Sequence, residues 1–424
     1  MAHARRLRSL IPAFVALVLA VLGPPCAGPA HAQQGPIKIG FSMALTGGVA
    51  VAGKQCLLAL EIWREDVNAK GGLLGRPVEF VYYDDQSNPA NVPQIFTKLV
   101  DVDKVDLLIG PYATNMVAPA IPVIMQKNLM TIGLLANAAN SNFHYQRYFS
   151  MLPTGPEPKK AFSKGFFELA QAQSPKPQTI AMIAADAEFA QNAAEGAREN
   201  VKAMGFKVVY DQSYPPTTTD YAPIMRAVQA ANADIVFAAA YPPDTVGIVS
   251  AANEIDLKTK MFGGTFIGLL STPLKMKLGP LANGIVNSEA FPDSPSYWFN
   301  GTEAVLQKYR ARAGAAGADP LGTAYAPLAY SAGQVLADAV TTTKSLDHDK
   351  LAAYVRATRF DTAVGPVKFG KDGEWEESRM TFTQFQHVTG NDLDQFTDPK
   401  KVVLLWPPQH KSGEMLYPYT AAKK

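Results

Sequence analysis

Short apolar runs alternate with amphipathic stretches along most of this chain. IKIGFSMAL (37–45), VEFVYYDD (78–85), VDLLIG (105–110) and LMTIGLLA (129–136) are strand-like runs with little charge. Between them lie GKQCLLALEIWREDVNAKGG (53–72), the segment from Asn88 to Asp101, and Thr114 to Gln126, which read as helices. Strands with apolar side chains on both faces need cover on both, so the alternation predicts βαβ units in a parallel sheet between helix layers. The grammar then restarts. TIAMIAAD (179–186), FKVVYDQSY (206–214), ADIVFAAA (233–240) and KMFGGTF (260–266) predict strands, with helices near 188–204, 219–231 and 243–255. The fold class is therefore α/β, two doubly wound parallel-sheet lobes in series, with the Pro- and Gly-rich MLPTGPEP (151–158) between them.

A second boundary falls in NGIVNSEAFPDSPS (283–296), where a strand gives way to Pro-rich chain. Helices are predicted near 297–313, 320–342 and 347–358. DTAVGPVKFGKDGEWEE (361–377) predicts two extended pieces around a Lys-Asp-Gly turn, and MTFTQFQHV (380–388) alternates like a strand. The stretch 389–424, which includes VVLLWPPQHKSGEMLYPY, has no clear period. It reads as an irregular tail packed on the surface by Trp406 and the tyrosines.

Composition fits this plan. A chain of 424 residues with 47% apolar and 18% charged residues can build two or three domains with large cores. The N-terminus reads differently. Arg5, Arg6 and Arg8 precede the uncharged LIPAFVALVLAVL, and AHA (30–32) follows as a small-x-small pattern. This is the layout of a secretory signal peptide, residues 1–32, cleaved after Ala32; the run is short for a bilayer span. Cys26 is a candidate for lipid anchoring, although Pro24 and Pro25 fit such processing poorly. Cleavage removes three Arg and no acid, so Lys plus Arg falls from 39 to 36 against 37 Asp plus Glu, a net charge near −1. Near-neutrality without basic blocks argues against nucleic acid or an anionic membrane surface as partner. Cys56 would then be the remaining cysteine, on a helix face with Leu60, Trp63 and Val67, which favours a core thiol over a nucleophile.

Catalytic signatures are missing from the pattern. GVAVAGKQ (48–55) nearly spells a phosphate loop, but Gln55 stands where Ser or Thr would hold magnesium, so a glycine turn into a helix is the favoured reading. There is no G-x-S-x-G elbow, and His144, His348, His387 and His410 are scattered. No H-E-x-x-H or paired Cys suggests a metal, and no cofactor is expected. Asp84 and Asp85 are adjacent on a strand and so point to opposite faces; capping the helix from Asn88 accounts for them better than catalysis.

The strand ends are more informative, because ligands of open parallel sheets gather beyond the strands' carboxyl ends. VDLLIGPYATNMVAP (105–119) delivers a buried strand to Tyr112, Ala113, Thr114 and Asn115 where a helix starts. The other ends are Thr46-Gly47-Gly48, Ala136-Asn137, Glu188-Phe189, Tyr241 and Thr265-Phe266. Each alone could be a helix cap. Their convergence on one rim suggests a site for something with a negative end.

The stretch KIGFSMALTGGVAVAGKQCLLALEIWREDVNAKGGLLGRPVEFVYYDDQSNP, followed by IGPYATN, ADAEFAQNAAEGARENVKAMG, ADIVFAAAYPPDTVGIVSAAN, LKTKMFGG and AVGPVKFGKDGEW, resembles the periplasmic leucine/isoleucine/valine-binding proteins over residues 37 to about 388. The resemblance implies a type I periplasmic-binding fold with three hinge strands, near 152–156, 287–292 and 361–367. Lobe 1 would comprise 36–153 plus 292–362, and lobe 2 156–288 plus 366–388. It further implies a monomer that is not an enzyme, works in the periplasm, captures a small-molecule carboxylate in the interlobe cleft and docks on an ABC permease in the inner membrane. Thr114 falls where the family takes the ligand carboxylate, and Leu135, Ala136 and Asn137 on a loop whose backbone helps. Phe189, Tyr241 and Tyr325 fall where the other lobe and the returning helices supply aromatics.

Two departures bear on the ligand. Amino-acid binders carry a Glu for the ligand ammonium where this chain has Thr265, and can carry a Trp where it has Ala52. Both suggest an aromatic or other hydrophobic carboxylate without an ammonium, while Asp186 or Asp244 could replace the acid and keep an amino acid in play. A ligand-sensing module reporting to a receptor would use the same cleft, and an exported hydrolase is a third reading.

Overall fold

The structure is a computed structural model that describes residues 35–423; the expected signal peptide, the expected cleavage site after Ala32 and Cys26 lie outside the described residues. The first half of the fold is built on β1 (Ile37–Met43), β2 (Val78–Asp84), β3 (Leu107–Tyr112), β4 (Thr131–Leu134) and β5 (Tyr148–Ser150). They form one sheet in the order β2-β1-β3-β4-β5, with every pair parallel. Helices α1 (Ala50–Ala69), α2 (Val92–Asp101) and α3 (Thr114–Gln126) make the crossovers. All of β3 and β4 is buried, as the unbroken apolar runs require.

The chain then passes through α4 (Pro158–Ala161) and α5 (Lys164–Gln171) into a second sheet. Its parallel part holds β6 (Thr179–Ala185), β7 (Lys207–Tyr214), β8 (Ile235–Ala240), β9 (Met261–Phe266) and β10 (Val286–Glu289). These are interleaved with α6 (Glu188–Met204), α7 (Ala222–Ala230), α8 (Pro242–Glu254) and α9 (Thr272–Leu278). Next α10 (Thr302–Ala316) and α11 (Ala326–Thr343) pack on α1, and α12 (His348–Ala357) packs on α11, so the chain has returned to the first lobe. A hairpin of β11 (Arg359–Thr362) and β12 (Gly365–Lys368) follows. Finally β13 (Thr381–Phe385) and β14 (Val402–Trp406) extend the second sheet to β14-β13-β10-β9-β8-β6-β7, antiparallel at the β13 and β14 edge.

The structure corrects three expectations. Residues 389–424 are not an irregular surface tail: β14 is a sheet strand, and a short helix α13 (Tyr419–Ala422) seats Tyr419, 1% exposed, edge-on to Phe262 at 5.4 Å. Trp406 donates its indole N–H to Glu168 at 2.8 Å, which fixes the strand against α5. The third crossing does not run at 361–367. Phe369 packs on Phe149, and Trp375 donates to the Ser150 carbonyl at 2.9 Å, so the chain stays on the first lobe until it passes beside the first crossing, where Arg379 N donates to Pro153 O at 2.8 Å. Asp84 and Asp85 do not cap the helix, whose start Asn88 caps through Ala90 N. Asp84 instead accepts from Leu45 N and Thr46 Oγ1, and Asp85 from Ser42 Oγ, and together they fasten the loop that follows β1. The second glycine of GVAVAGKQ is explained by packing: a Cβ on Gly53 would lie 1.9 Å from the Ala44 carbonyl oxygen, so α1 can cross the end of β1 only with glycine there.

Candidate functional site: an interlobe cleft

The carboxyl ends of the two parallel sheets face one cleft, and its centre is the start of α3. Ala113 sits at φ 79 and ψ 149, a conformation that costs an alanine energy and is held only where the surroundings demand it. Its N–H donates to Leu134 O, while Met116 and Val117 donate back to its carbonyl. The N–H groups of Thr114 and Asn115, at the first turn, have no intrahelical acceptor. Thr114 is 1% exposed, and its Oγ1 accepts from Asn137 N at 2.8 Å. A hydroxyl that accepts one bond keeps its proton to donate.

These groups open on a small central cavity of ≈ 40 Å³. Of the residues expected at the site, Tyr112, Ala113, Thr114, Leu135, Phe189, Tyr241 and Tyr325 all line it. Tyr112 and Tyr325 lie with ring centroids 5.4 Å apart, Phe189 and Tyr241 with theirs 5.9 Å apart. Burial raises the hydroxyl pKa of Tyr112, Tyr241 and Tyr325, so these groups are neutral donors at ordinary pH. Asn115 lines an adjoining cavity and bridges the lobes: its Oδ1 accepts from Tyr241 Oη at 2.7 Å and from Phe189 N at 3.2 Å. Asn192 Nδ2 donates across to Asn137 O at 3.1 Å. On the opposite flank Asp319, between α10 and α11, accepts from Thr272 N at 2.6 Å and Thr272 Oγ1 at 2.8 Å. The cleft is thus closed, with polar ties on both sides.

Other expected residues lie elsewhere. Ala136 is buried, its carbonyl accepting from Ser150 Oγ at 3.4 Å. The Asn137 side chain is fully buried, and neither of its polar atoms has a partner. Phe266 packs on Phe262 in the core, and Thr265, fully buried with its hydroxyl unpaired, lines none of the three cleft cavities. Neither residue is on the rim: β9 ends at Phe266, both side chains are buried in the fold, and Ile267 is the residue that lines the cavity.

No acid lines the central cavity. Asp244 accepts from Tyr221 Oη at 2.9 Å, Tyr214 Oη at 3.1 Å and Tyr241 N at 3.2 Å, so its oxygens are already engaged; Asp186 is exposed and outside the cleft cavities. Glu289 lies between the lining residues Ser288 and Ala290 but turns to β13, accepting from Thr383 Oγ1 at 2.8 Å. Sequence reasoning missed Val49, Leu152, Phe162, Ile267, Leu270, Ser288 and Ala290 as lining. Most are apolar, and an apolar cavity wall has the same sequence signature as core. Beside the central cavity is an apolar one of ≈ 390 Å³ that shares Val49, Ile267, Leu270 and Tyr325 with it.

With this geometry in place, the chain can be set beside known proteins. The family of periplasmic binding proteins matches residues 36–391. The leucine-specific-binding protein of Salmonella typhimurium is 24% identical over 373 residues, 87% of this chain and 94% of the relative. Among solved structures, LivJ of Streptococcus pneumoniae in complex with isoleucine aligns at TM-score 0.69 and 20% identity, covering 84% of this chain and 97% of that one. A solute-binding protein of an ABC transporter from R. palustris, in complex with 4-hydroxybenzoate, aligns at TM-score 0.71 and 20% identity, covering 87% and 95%.

Proposed function

Because this chain belongs to the periplasmic binding protein family, we propose that it is the exported solute-binding subunit of an ABC importer and that its ligand is a small hydrophobic carboxylate. The observation that carries the reading is the start of α3, where first-turn N–H groups and the Thr114 hydroxyl meet a cavity free of acids. A helix N-terminus carries partial positive charge and unpaired donors, and a carboxylate supplies what both lack. The aromatic and aliphatic walls from both lobes then enclose an apolar body. As proposed, the protein works as a monomer in the periplasm, the lobes close on ligand, and the closed form docks on an inner-membrane permease.

The same cavity argues about the other end of the ligand. An ammonium buried without a counter-charge costs several kcal/mol, and no carboxylate in the central cavity supplies one. An aromatic or other hydrophobic acid without nitrogen therefore fits better than leucine. Both ligand classes occur on this fold, in the isoleucine and 4-hydroxybenzoate complexes. A thermal-shift panel of benzoate, phenylacetate, leucine, isoleucine and valine tests the reading. Ligand at a hundred times its dissociation constant adds about 2.7 kcal/mol, roughly 5–10 °C in a protein of this size. The aromatic acids should give the large shift. A large shift with leucine, isoleucine or valine and none with the aromatic acids would refute the preference for an acid without nitrogen.

A further inference from the structure

Two residues that line the apolar cavity beside the central one each carry a buried polar atom that nothing satisfies. Gln55, on the buried face of α1, is 1% exposed, and its amide nitrogen has no hydrogen-bond partner. Ser271 precedes α9, where a serine normally caps the first turn. Here it does not: Pro273 has no N–H to give and Leu274 N donates to the Ser271 carbonyl, so Ser271, which lines the cavity, keeps a buried and unpaired Oγ. Ala52, Val246, Ile267 and Leu270 make the surroundings apolar. Buried polar groups in an apolar wall are costly unless a partner arrives, and two on one wall mark where that partner would bind.

We propose that this cavity is a second ligand subsite, which receives the far end of an aromatic carboxylate bearing a hydroxyl or carbonyl remote from its acid group. The proposal rests on the reading of the α3 N-terminus as the carboxylate anchor. The two cavities share the wall formed by Val49, Ile267, Leu270 and Tyr325, so one elongated ligand reaches both. The volume of ≈ 390 Å³ exceeds the roughly 150 Å³ that holds a benzene ring in an apolar cavity. Ala52, with only a methyl group, lines this space. The Gln55 amide offers both a donor and an acceptor, and the Ser271 hydroxyl either, so together they suit a phenolic hydroxyl. A site built to bond a hydroxyl discriminates against the analogue without it, because its own groups then stay unpaired.

Calorimetric titration with two matched pairs tests this: phenylacetate against 4-hydroxyphenylacetate, and 3-phenylpropanoate against 3-(4-hydroxyphenyl)propanoate. In at least one pair the wild-type protein should bind the hydroxylated acid about tenfold more tightly. Gln55→Leu, close in shape, should abolish that preference while still binding the unsubstituted acid, and Ser271→Ala should reduce it. Equal affinities within both pairs, or a preference that survives both substitutions, would overturn the subsite and leave the carboxylate anchor standing. If none of the four acids binds the wild-type protein, the anchor itself is wrong and the subsite falls with it.

Discussion

Thr114→Val is the substitution that separates a ligand anchor from a helix cap. Valine keeps the shape of a side chain that is 1% exposed but removes two bonds at once. One is internal: Asn137 N, which donates to Thr114 Oγ1 at 2.8 Å, loses its acceptor. A buried donor left unpaired costs about 1–3 kcal/mol, and each kcal/mol lowers the melting temperature of a domain of this size by roughly 2–4 °C. The substitution is therefore not silent in the empty protein. The other bond is the proposed one, from the hydroxyl proton to the ligand carboxylate, worth about 1.5–3 kcal/mol as a charge-assisted bond, or roughly ten- to a hundredfold in Kd. Thr114→Ser keeps the hydroxyl and should restore both. The assay is calorimetric titration of the three proteins with the best acid from the panel, alongside melting curves without ligand. If the valine variant melts earlier but binds as tightly as wild type, Thr114 serves only Asn137 and the anchoring argument is refuted.

Two further outcomes are expected. Burial pushes the Glu374 carboxyl up to about 8, with Thr154 Oγ1 3.3 Å from its Oε2 beside the first crossing between lobes. The folded state thus keeps a proton that the unfolded chain releases above its ordinary value, so this group's contribution is intact at acid pH and stability falls as pH rises from about 4.5 through 8. Glu374→Gln should flatten that decline, and parallel melting curves of the two proteins from pH 5 to 9 would contradict it. Asp319→Ala removes both bonds to Thr272 and should favour an open cleft, seen as a larger radius of gyration in X-ray scattering and weaker binding; an unchanged profile with unchanged affinity would show that the tie does not bear on closure.

Local pattern was enough for the elements and for much of the site. The bounds of α3 and α6 match expectation: Gly205 takes the left-handed conformation that closes α6, a local signal, while β3 runs on through Gly110 and Pro111 to Tyr112 before α3 begins at Thr114. The alternation of apolar strands and helices implied both parallel sheets for the same reason, since periods of 2 and 3.6 belong to the backbone itself. Placing Thr114 and its aromatic neighbours at one rim needed only the rule that strand ends converge, together with the family resemblance.

Other features depended on partners far away in the chain. VVLLW has no period that distinguishes strand from buried helix, and it becomes β14 because β13 offers an unpaired edge and Trp406 finds Glu168 on α5. The third crossing moved past Trp375 because that indole bonds Ser150, a partner 225 residues away. Phe266 ends β9 as its pattern announces, but its ring turns into the core against Phe262, a partner that the pattern does not show. Gln55 entered the sequence reading only as the residue that spoils a phosphate loop. That its amide is buried beside an apolar cavity follows from residues of both lobes meeting around that cavity. Periodicity tells which faces must be covered; only the packed chain decides which covered face still has room for a ligand.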